Sequence, residues 1–301
     1  MREILILVNK FGKKKRTLVS KIQKYLEGKA RVSLARFPDI LIKAERGKIE
    51  IKIGEKDIKD FSLVYLRKVG VDFFPIARTL GFALNYLKIP FFDNVFGQPG
   101  SVGDKLTSQI RLATAGLPVI PLVYCSRDKL LEKQEFIISN LGLPLVAKHC
   151  EFHRGKGVFL IKKKEDFLRV LKTNSEGQFF FQKYCPSEKE YRILVLGDKA
   201  RVWEAKIPTR VGEFRSNVCL GAKEEFYKIS SLPRLMANIA VKAAKALNIQ
   251  IAGVDLLKEK NTGKIWLLEV NRGPGFTYDE KISPEIKELA NFLLRQLKKD
   301  A

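Results

Sequence analysis

Histidine is nearly absent, with only His149 and His153 in a chain of 301 residues. A Ser-His or Cys-His mechanism needs a base beside its nucleophile, and so small a supply argues against one. Cysteine is also sparse. Cys125, Cys150, Cys185 and Cys219 lie far apart and lack the C-x-x-C spacing of a zinc site or a disulfide framework, which leaves them as semi-buried free thiols. No apolar run approaches the ~20 residues that cross a bilayer, and the N-terminus lacks the charged, apolar and small-residue order of a signal peptide. A cytoplasmic protein with no membrane partner is expected. Internal repeats are absent, no G-x-x-x-x-G-K-[ST] P-loop occurs, and no G-x-G-x-x-G follows the first apolar strand.

Acidic residues are scarce beside basic ones. The 33 Asp and Glu against 56 Lys and Arg leave a net charge of +23, with clusters at Lys13-Lys14-Lys15-Arg16 and Lys162-Lys163-Lys164. Such a field attracts polyanions, so nucleotide, RNA, ribosome and acidic protein tails all fit as partners. A lysine-rich surface left by genome bias or a hot habitat is the plainer reading, although a habitat effect raises both signs together. Hydrophobic content of 46% with 30% charged residues describes an ordinary soluble chain, long enough for one large or two to three small domains.

The first hundred residues alternate strand and helix patterns. Ile4 to Val8, Ile49 to Ile53 and Leu63 to Leu66 read as strands, and the stretches around Leu18 to Leu26 and Phe74 to Leu87 as helices, which together argue an open α/β layer over residues 1–98 that walls a substrate. Gly97-Gln-Pro-Gly-Ser-Val-Gly103 is a natural linker. Asp104 then caps a helix with Leu106, Ile110 and Ala113 on one face, ended by Gly116 and Pro118. A second helix runs from Ser126 to Gly142, with Leu130, Gln134, Ile137, Ile138 and Leu141 inward. Strands at Leu145 to Lys148, Val158 to Ile161 and Phe179 to Gln182 complete a compact antiparallel unit over 99–185. The remaining 186–301 reads as a larger α+β unit, with strands near Arg192 to Leu196 and Ala200 to Ala205, a helix from Pro233 to Leu247, a hairpin, and a terminal helix opened by Ser283-Pro284.

Two segments carry chemistry. In the hairpin, Gly253-Val-Asp255 and Trp266-Leu-Leu-Glu269-Val-Asn271 flank the turn Asn261-Thr-Gly263, so Asp255 falls beside Glu269, and Glu269 and Asn271 share a face. That oxygen-rich set suits Mg²⁺, which takes one or two carboxylates and leaves positions for water and phosphates. A solvated acidic hairpin has the same pattern. The second segment is Lys148-His-Cys-Glu-Phe-His-Arg-Gly155-Lys-Gly157, where glycines let backbone N–H groups approach an anion and Lys148 adds a point charge. An ordinary β-turn also reads this way.

Taken in order, these pieces resemble the ATP-grasp superfamily, and within it the RimK-type carboxylate-amine ligases, which include the ligase that adds glutamate to a ribosomal protein. The resemblance covers roughly residues 100 to 280 and rests on Gly-Asp-Lys-Leu106, Lys148 with Gly155 and Gly157, Glu190-Tyr-Arg192, Gly212-Glu-Phe-Arg-Ser-Asn217, Ala252-Gly-Val-Asp255, and Glu269-Val-Asn271 with Pro274-Gly275. It implies an ATP-grasp fold of class α/β (α+β), in which an N-terminal open α/β layer precedes two α+β subdomains that sandwich ATP. It further implies that Lys105 and Lys148 contact phosphates under a Gly155/Gly157 lid, where His149 and His153 read as lid surface residues or phosphate contacts rather than bases, and that Gln182, Lys183 and Tyr184 end the strand at the adenine hinge. Glu190 would hold the ribose, and Asp255, Glu269 and Asn271 would bind Mg²⁺, or Mn²⁺. Arg215 and Asn217 would face the γ-phosphate and acyl group, with Arg192 assisting.

The chain departs from the family pattern at Lys183, where an acidic residue is usual, at Phe152 in place of a lid glycine, and at Arg272-Gly-Pro-Gly275, which is expected to place Arg272 beside the substrate. The implied reaction is ATP-driven activation of a carboxylate to an acylphosphate that an amine attacks. The amino acid is glutamate-like and the acceptor a protein or small-molecule carboxylate, with an acidic or ribosomal protein among the partners. Relatives often assemble as dimers or tetramers, so a homo-oligomer is open. The competing reading is a non-catalytic, RNA- or ribosome-associated polyanion binder on the same frame. Its support is the charge, and it lacks an RNA motif. A phosphotransferase or carboxylase on that frame is a third reading, separable by product analysis.

Overall fold

The computed structural model describes residues 1–45, 48–98, 105–150, 157–173, 178–187, 189–209 and 222–299. Strand β1 (Glu3–Val8) points Ile4, Ile6 and Val8 to one side and Leu5 and Leu7 to the other, and all five are buried. Its first side packs on Leu18 and Ile22 of α1 (Lys13–Tyr25), its second on Ala77, Leu80 and Leu84 of α2 (Phe74–Tyr86). Burial on both faces is the environment of a central parallel strand. Here β1 lies between β2 (Arg31–Arg36) and β6 (Leu63–Leu66), with β7 (Phe91–Phe92) beyond, every pairing parallel.

The Ile49 to Ile53 stretch is a strand but not a member of that layer. It forms β4 (Lys48–Ile53) of a separate antiparallel sheet with β3 (Ile40–Glu45) and β5 (Lys56–Asp57). Ile51 and Ile53 still reach the core beneath β1.

The central unit is a four-stranded antiparallel sheet. It contains β8 (Leu122–Tyr124), β9 (Leu145–His149), β10 (Val158–Ile161) and β11 (Phe179–Lys183) in the order β10-β9-β11-β8. Helices α4 (Leu130–Leu141) and α5 (Asp166–Thr173) cover the face that carries Leu145, Ala147, Phe179 and Phe181. Alternation therefore turns Val146, Lys148, Phe180 and Gln182 to the opposite face.

Helix α3 (Lys105–Thr114) follows the linker as expected, but its inner face differs from the expected one. Gln109 and Leu112 are buried while Ile110 and Ala113 are exposed. Gln109 is tolerated inside because its Nε2 donates to the Leu268 carbonyl at 2.7 Å. Leu112 joins the core of a five-stranded antiparallel sheet, ordered β14-β13-β12-β15-β16. Its strands are β12 (Glu190–Leu196), β13 (Lys199–Ile207), β14 (Lys223–Tyr227), β15 (Ile251–Lys258) and β16 (Ile265–Arg272).

One face of this sheet is apolar at its centre. Ile193, Val195, Val254 and Leu256 pack under Met236, Ile239, Ala240, Ala243 and Ala244 of α6 (Arg234–Ala246), a 3.6-period stripe. The other face is divided. At one end Leu194, Leu196, Val202 and Ile251 meet Leu289 and Leu293 of α7 (Glu285–Lys299) and share a core with β1. At the other end the same alternation presents Glu190, Arg192, Glu204, Lys206 and Asp255. No helix among the described residues is long and apolar enough to cross a membrane.

Candidate active site

The charged end of the five-stranded sheet is assembled by register. Arg192 on β12 stands opposite Asp255 on β15 and Glu204 on β13, and Glu190 stands opposite Lys206. Directly opposed residues share a face, so the four ionisable side chains from β12 and β13 converge on Asp255. Arg192 donates from Nε to Oδ1 at 2.8 Å and from Nη2 to Oδ2 at 2.7 Å. This fork is the strongest form of carboxylate pairing. Lys206 Nζ lies 3.5 Å from Asp255 Oδ1 and 3.9 Å from Glu204 Oε1. Burial pushes the Asp255 carboxyl up, but Arg192 and then Lys206 outweigh it and hold the group below its ordinary value. Burial likewise opposes the Arg192 charge, yet Asp255 holds the guanidinium above its ordinary value.

The hairpin brings the three expected metal ligands together. Asp255 faces Glu269 across β15 and β16, and Asn271 donates from Nδ2 to Asp255 Oδ2 at 2.9 Å. Asn271 thereby keeps its amide oxygen as a donor to a cation. Two carboxylates and an amide on one face form a hard-oxygen set that fits Mg²⁺. Among the described residues no three His, Cys, Asp or Glu side chains could hold a metal by themselves, so a cation here would draw its remaining oxygens from a ligand.

Gly253 makes the arrangement possible. A β-carbon at this position would lie 2.8 Å from Pro274 Cβ and 3.6 Å from both Cδ and Nε of Arg192. The 2.8 Å approach is the prohibitive one, so only a residue without a side chain lets Pro274 pack against this strand, while the Arg192 contacts are of ordinary van der Waals length.

Lys148 faces this cluster from the central sheet. Burial holds its ammonium below the usual value, with Glu269 and Glu190 pulling the other way, and Lys105 and Cys185 also act on it. Glu190 is pushed up to about 7 by burial, then by Asp255, against the pull of Lys206, Lys148 and Arg192. Lys105, Lys148, Glu190, Arg192, Asp255, Glu269 and Asn271 are thus electrostatic neighbours. Lys105 opens α3 and donates its N–H to the Cys150 carbonyl at 3.2 Å. Gly157 has φ +69°, and its carbonyl accepts the His149 N–H at 2.8 Å at the entry to β10.

Other expected residues stand apart from this cluster or outside the described part of the chain. The Gln182 amide is buried and turned inward, with Nε2 3.4 Å from Gln109 Oε1 and 3.5 Å from the Ile120 carbonyl. Lys183 ends β11 with its N–H on the Pro121 carbonyl at 3.1 Å, and Tyr184 opens the connection to β12. Gly155, Arg215 and Asn217 lie outside the described residues, as do Gly103, Asp104, Phe152, His153 and Cys219.

Two expectations change. His149, expected on the lid surface or at a phosphate, is buried with its ring edge-on to Phe179 at 5.1 Å, because it shares a face with Leu145 and Ala147. Arg272 lies 5.0 Å from the rings of both Phe74 and Phe96 of the N-terminal layer, on the face of β16 opposite Asn271. The cysteines, expected semi-buried, are deeper than that at two positions: Cys150 and Cys185 are buried, and Cys125 is half-buried.

Glu204, Lys206 and Gly253 were not among the expected site residues. Their signal is legible in retrospect, because Glu204 and Lys206 are charges two apart inside the otherwise apolar Val-Trp-Glu-Ala-Lys-Ile strand.

The RimK-like ATP-grasp domain family matches residues 102–292. A probable alpha-L-glutamate ligase from Legionella pneumophila (strain Corby) is 33% identical over 182 residues, 59% of this chain and 58% of that protein. The chain therefore spans less than two thirds of that relative. A probable alpha-L-glutamate ligase 2 from Shewanella frigidimarina is 31% identical over 216 residues, 69% of each chain. Among solved structures, the ATP-grasp ligase PsnB, complexed with a phosphomimetic variant of its minimal precursor, Mg and ADP, superposes with a TM-score of 0.72 at 15% identity over 98% of both chains. D-alanine–D-alanine ligase from Bacillus anthracis complexed with ATP gives a TM-score of 0.67 at 20% identity over the whole of both. At these identities the solved structures establish a common fold.

Proposed function

This chain belongs to the RimK-like ATP-grasp family, and from that membership we propose an ATP-dependent carboxylate-amine ligase that joins a glutamate-like amino acid to a carboxylate acceptor. The observation that carries the reading is the convergence of two sheets. Lys148 from the central sheet is an electrostatic partner of Glu269 and Glu190 on the five-stranded sheet, beside the Arg192–Asp255 pair. A cation facing acidic metal donors across a cleft is what a bound Mg–nucleotide needs, since the phosphates answer both.

In the proposed reaction a carboxylate oxygen attacks the γ-phosphorus and ADP leaves. The amine then attacks the acyl carbon, and inorganic phosphate departs with the bond electrons. Asp255, Glu269 and Asn271 would hold the Mg²⁺, or Mn²⁺, which would supply positive charge to the phosphates. Lys105 and Lys148 position the phosphates beside the glycine segment that leads into β10. Glu190 accepts from ribose hydroxyls, and Gln182, Lys183 and Tyr184 lie toward the base. Arg192, together with Arg215 and Asn217, orients the carboxylate and meets the charge that develops as the acylphosphate forms. Arg192, and after it Lys206, keep Asp255 ionised. The division into an N-terminal layer, a central lid unit and a C-terminal metal-bearing unit belongs to the same reading.

The test is mass spectrometry of products from ATP, Mg²⁺, a panel of amino acids and cell extract. The expected result is ADP and phosphate with an acceptor heavier by one glutamate residue. ADP release with no amide product assigns a phosphotransferase instead. Salt-sensitive RNA binding without ADP release assigns the polyanion binder.

A further inference from the structure

We propose that the carboxyl ends of β1 and β6 form an anion-binding subsite, built from Lys10, Lys15 and Arg67, that holds a second carboxylate of the substrate while the first is activated beside Arg192. The choice of reacting carboxylate rests on the ligase reading; the subsite itself rests on the N-terminal sheet. In the order β2-β1-β6 the chain leaves β1 toward one side and returns on the other. Open parallel sheets bind ligands in the crevice outside the carboxyl ends at such a reversal.

The crevice is cationic and lacks a counter-charge. Lys15 Nζ donates to Asn9 Oδ1 at 2.6 Å and to the Lys10 carbonyl at 2.7 Å, which leaves one of its three N–H groups. Arg67, only 3% exposed, donates from Nη2 to the Pro274 carbonyl at 2.6 Å and lies 5.1 Å from the Phe276 ring. Its Nε has no partner among the described residues. No ion pair among those residues joins a carboxylate to Lys10, Lys15 or Arg67. Burial, then Arg67 and Lys10, hold the Lys15 ammonium below its usual value, so the cations face one another. The first turn of α1 adds no acidic residue and no capping side chain to offset them.

Pro274 joins this crevice to the reaction centre. Its carbonyl accepts from Arg67, and its ring and the Arg192 side chain both border the Gly253 backbone. A ligand with two carboxylates a few bonds apart spans from Arg192 to Arg67 and Lys15. The implied substrate is a dicarboxylate, or a chain that ends in one.

Calorimetric titration of the full chain with ADP and Mg²⁺ present tests this, using glutarate, butyrate and inorganic phosphate as probes. Glutarate is expected to bind about tenfold or more tightly than butyrate, and Lys15→Gln to remove most of that margin with ADP affinity unchanged. Lys10→Gln, at an exposed position, gives a smaller loss in the same direction and serves if the Lys15 variant does not fold. Glutarate binding unchanged in both variants overturns the subsite, leaving Lys15 a loop tie. Phosphate binding that depends on Lys15 and exceeds that of glutarate overturns the carboxylate assignment. A wild-type protein that never releases ADP counts against the ligase reading and leaves this result to stand separately.

Discussion

On the five-stranded sheet Arg192 and Lys206 are both met by Asp255, whereas at the mouth of the N-terminal sheet Lys10, Lys15 and Arg67 are met by no carboxylate among the described residues. Burying charge is costly in both places, and the protein offsets the cost in different ways. In the first cluster the acids belong to the chain, so the arrangement is rigid before any ligand arrives. In the second, backbone carbonyls, Asn9 and the Phe276 ring hold the cations in place while their charge stays unanswered. A preformed matched cluster can orient chemistry, and an unmatched one selects a ligand by its charge.

Removing acids from the matched cluster should make it behave like the unmatched one. The largest effect is expected for Glu269→Ala, which takes away one metal carboxylate and the opposite charge that acts on Lys148. ATP turnover should fall by more than about a hundredfold, beyond the ~10–100-fold typical of outer-shell metal partners, with the far-UV circular dichroism spectrum unchanged. Normal turnover would remove the metal assignment.

Asp255→Ala strands Arg192 and Lys206 in a poorly exposed site. Urea unfolding should show a loss of about 3 kcal/mol, partly recovered by added phosphate. If the variant proves as stable as the parent, the fork adds nothing and the contrast between the clusters fails.

The smallest effect is a pH dependence. Burial pushes the Glu204 carboxyl up to about 8, with Lys206 opposing, and raises Glu285 to about 7. The folded chain therefore keeps protons that the unfolded chain releases above its ordinary carboxyl value of 4.5, so stability falls as pH rises from 4.5 through 8. Glu204→Gln should flatten the slope of melting temperature over that window, and an unaltered slope would locate the titration elsewhere.

Much of this arrangement was legible in the order of residues, for local reasons. Strand alternation and the Asn261-Thr-Gly263 turn join Asp255 to Glu269 and Asn271 within one hairpin, where period two decides which side chains share a face. The same periodicity locates α4, α6 and both strands that carry Lys148 and Arg192. It does not say where the core lies. Leu106, Ile110 and Ala113 formed a plausible inner face for α3, yet a β16 carbonyl satisfies Gln109 and turns the helix the other way. Ile49 to Ile53 reads equally well as a strand of either N-terminal sheet, because a strand's pattern does not name its neighbour.

The set of elements, the hairpin's oxygen donors and the excess of positive charge are written in the residues themselves, since each depends on neighbours close together in the chain. That Arg192 grips Asp255 across 63 residues and Arg67 reaches Pro274 across 207 emerges with the folded arrangement alone. Those contacts follow from strand register and the packing of whole sheets, which set the partners of a buried charge and leave no trace in its local spacing.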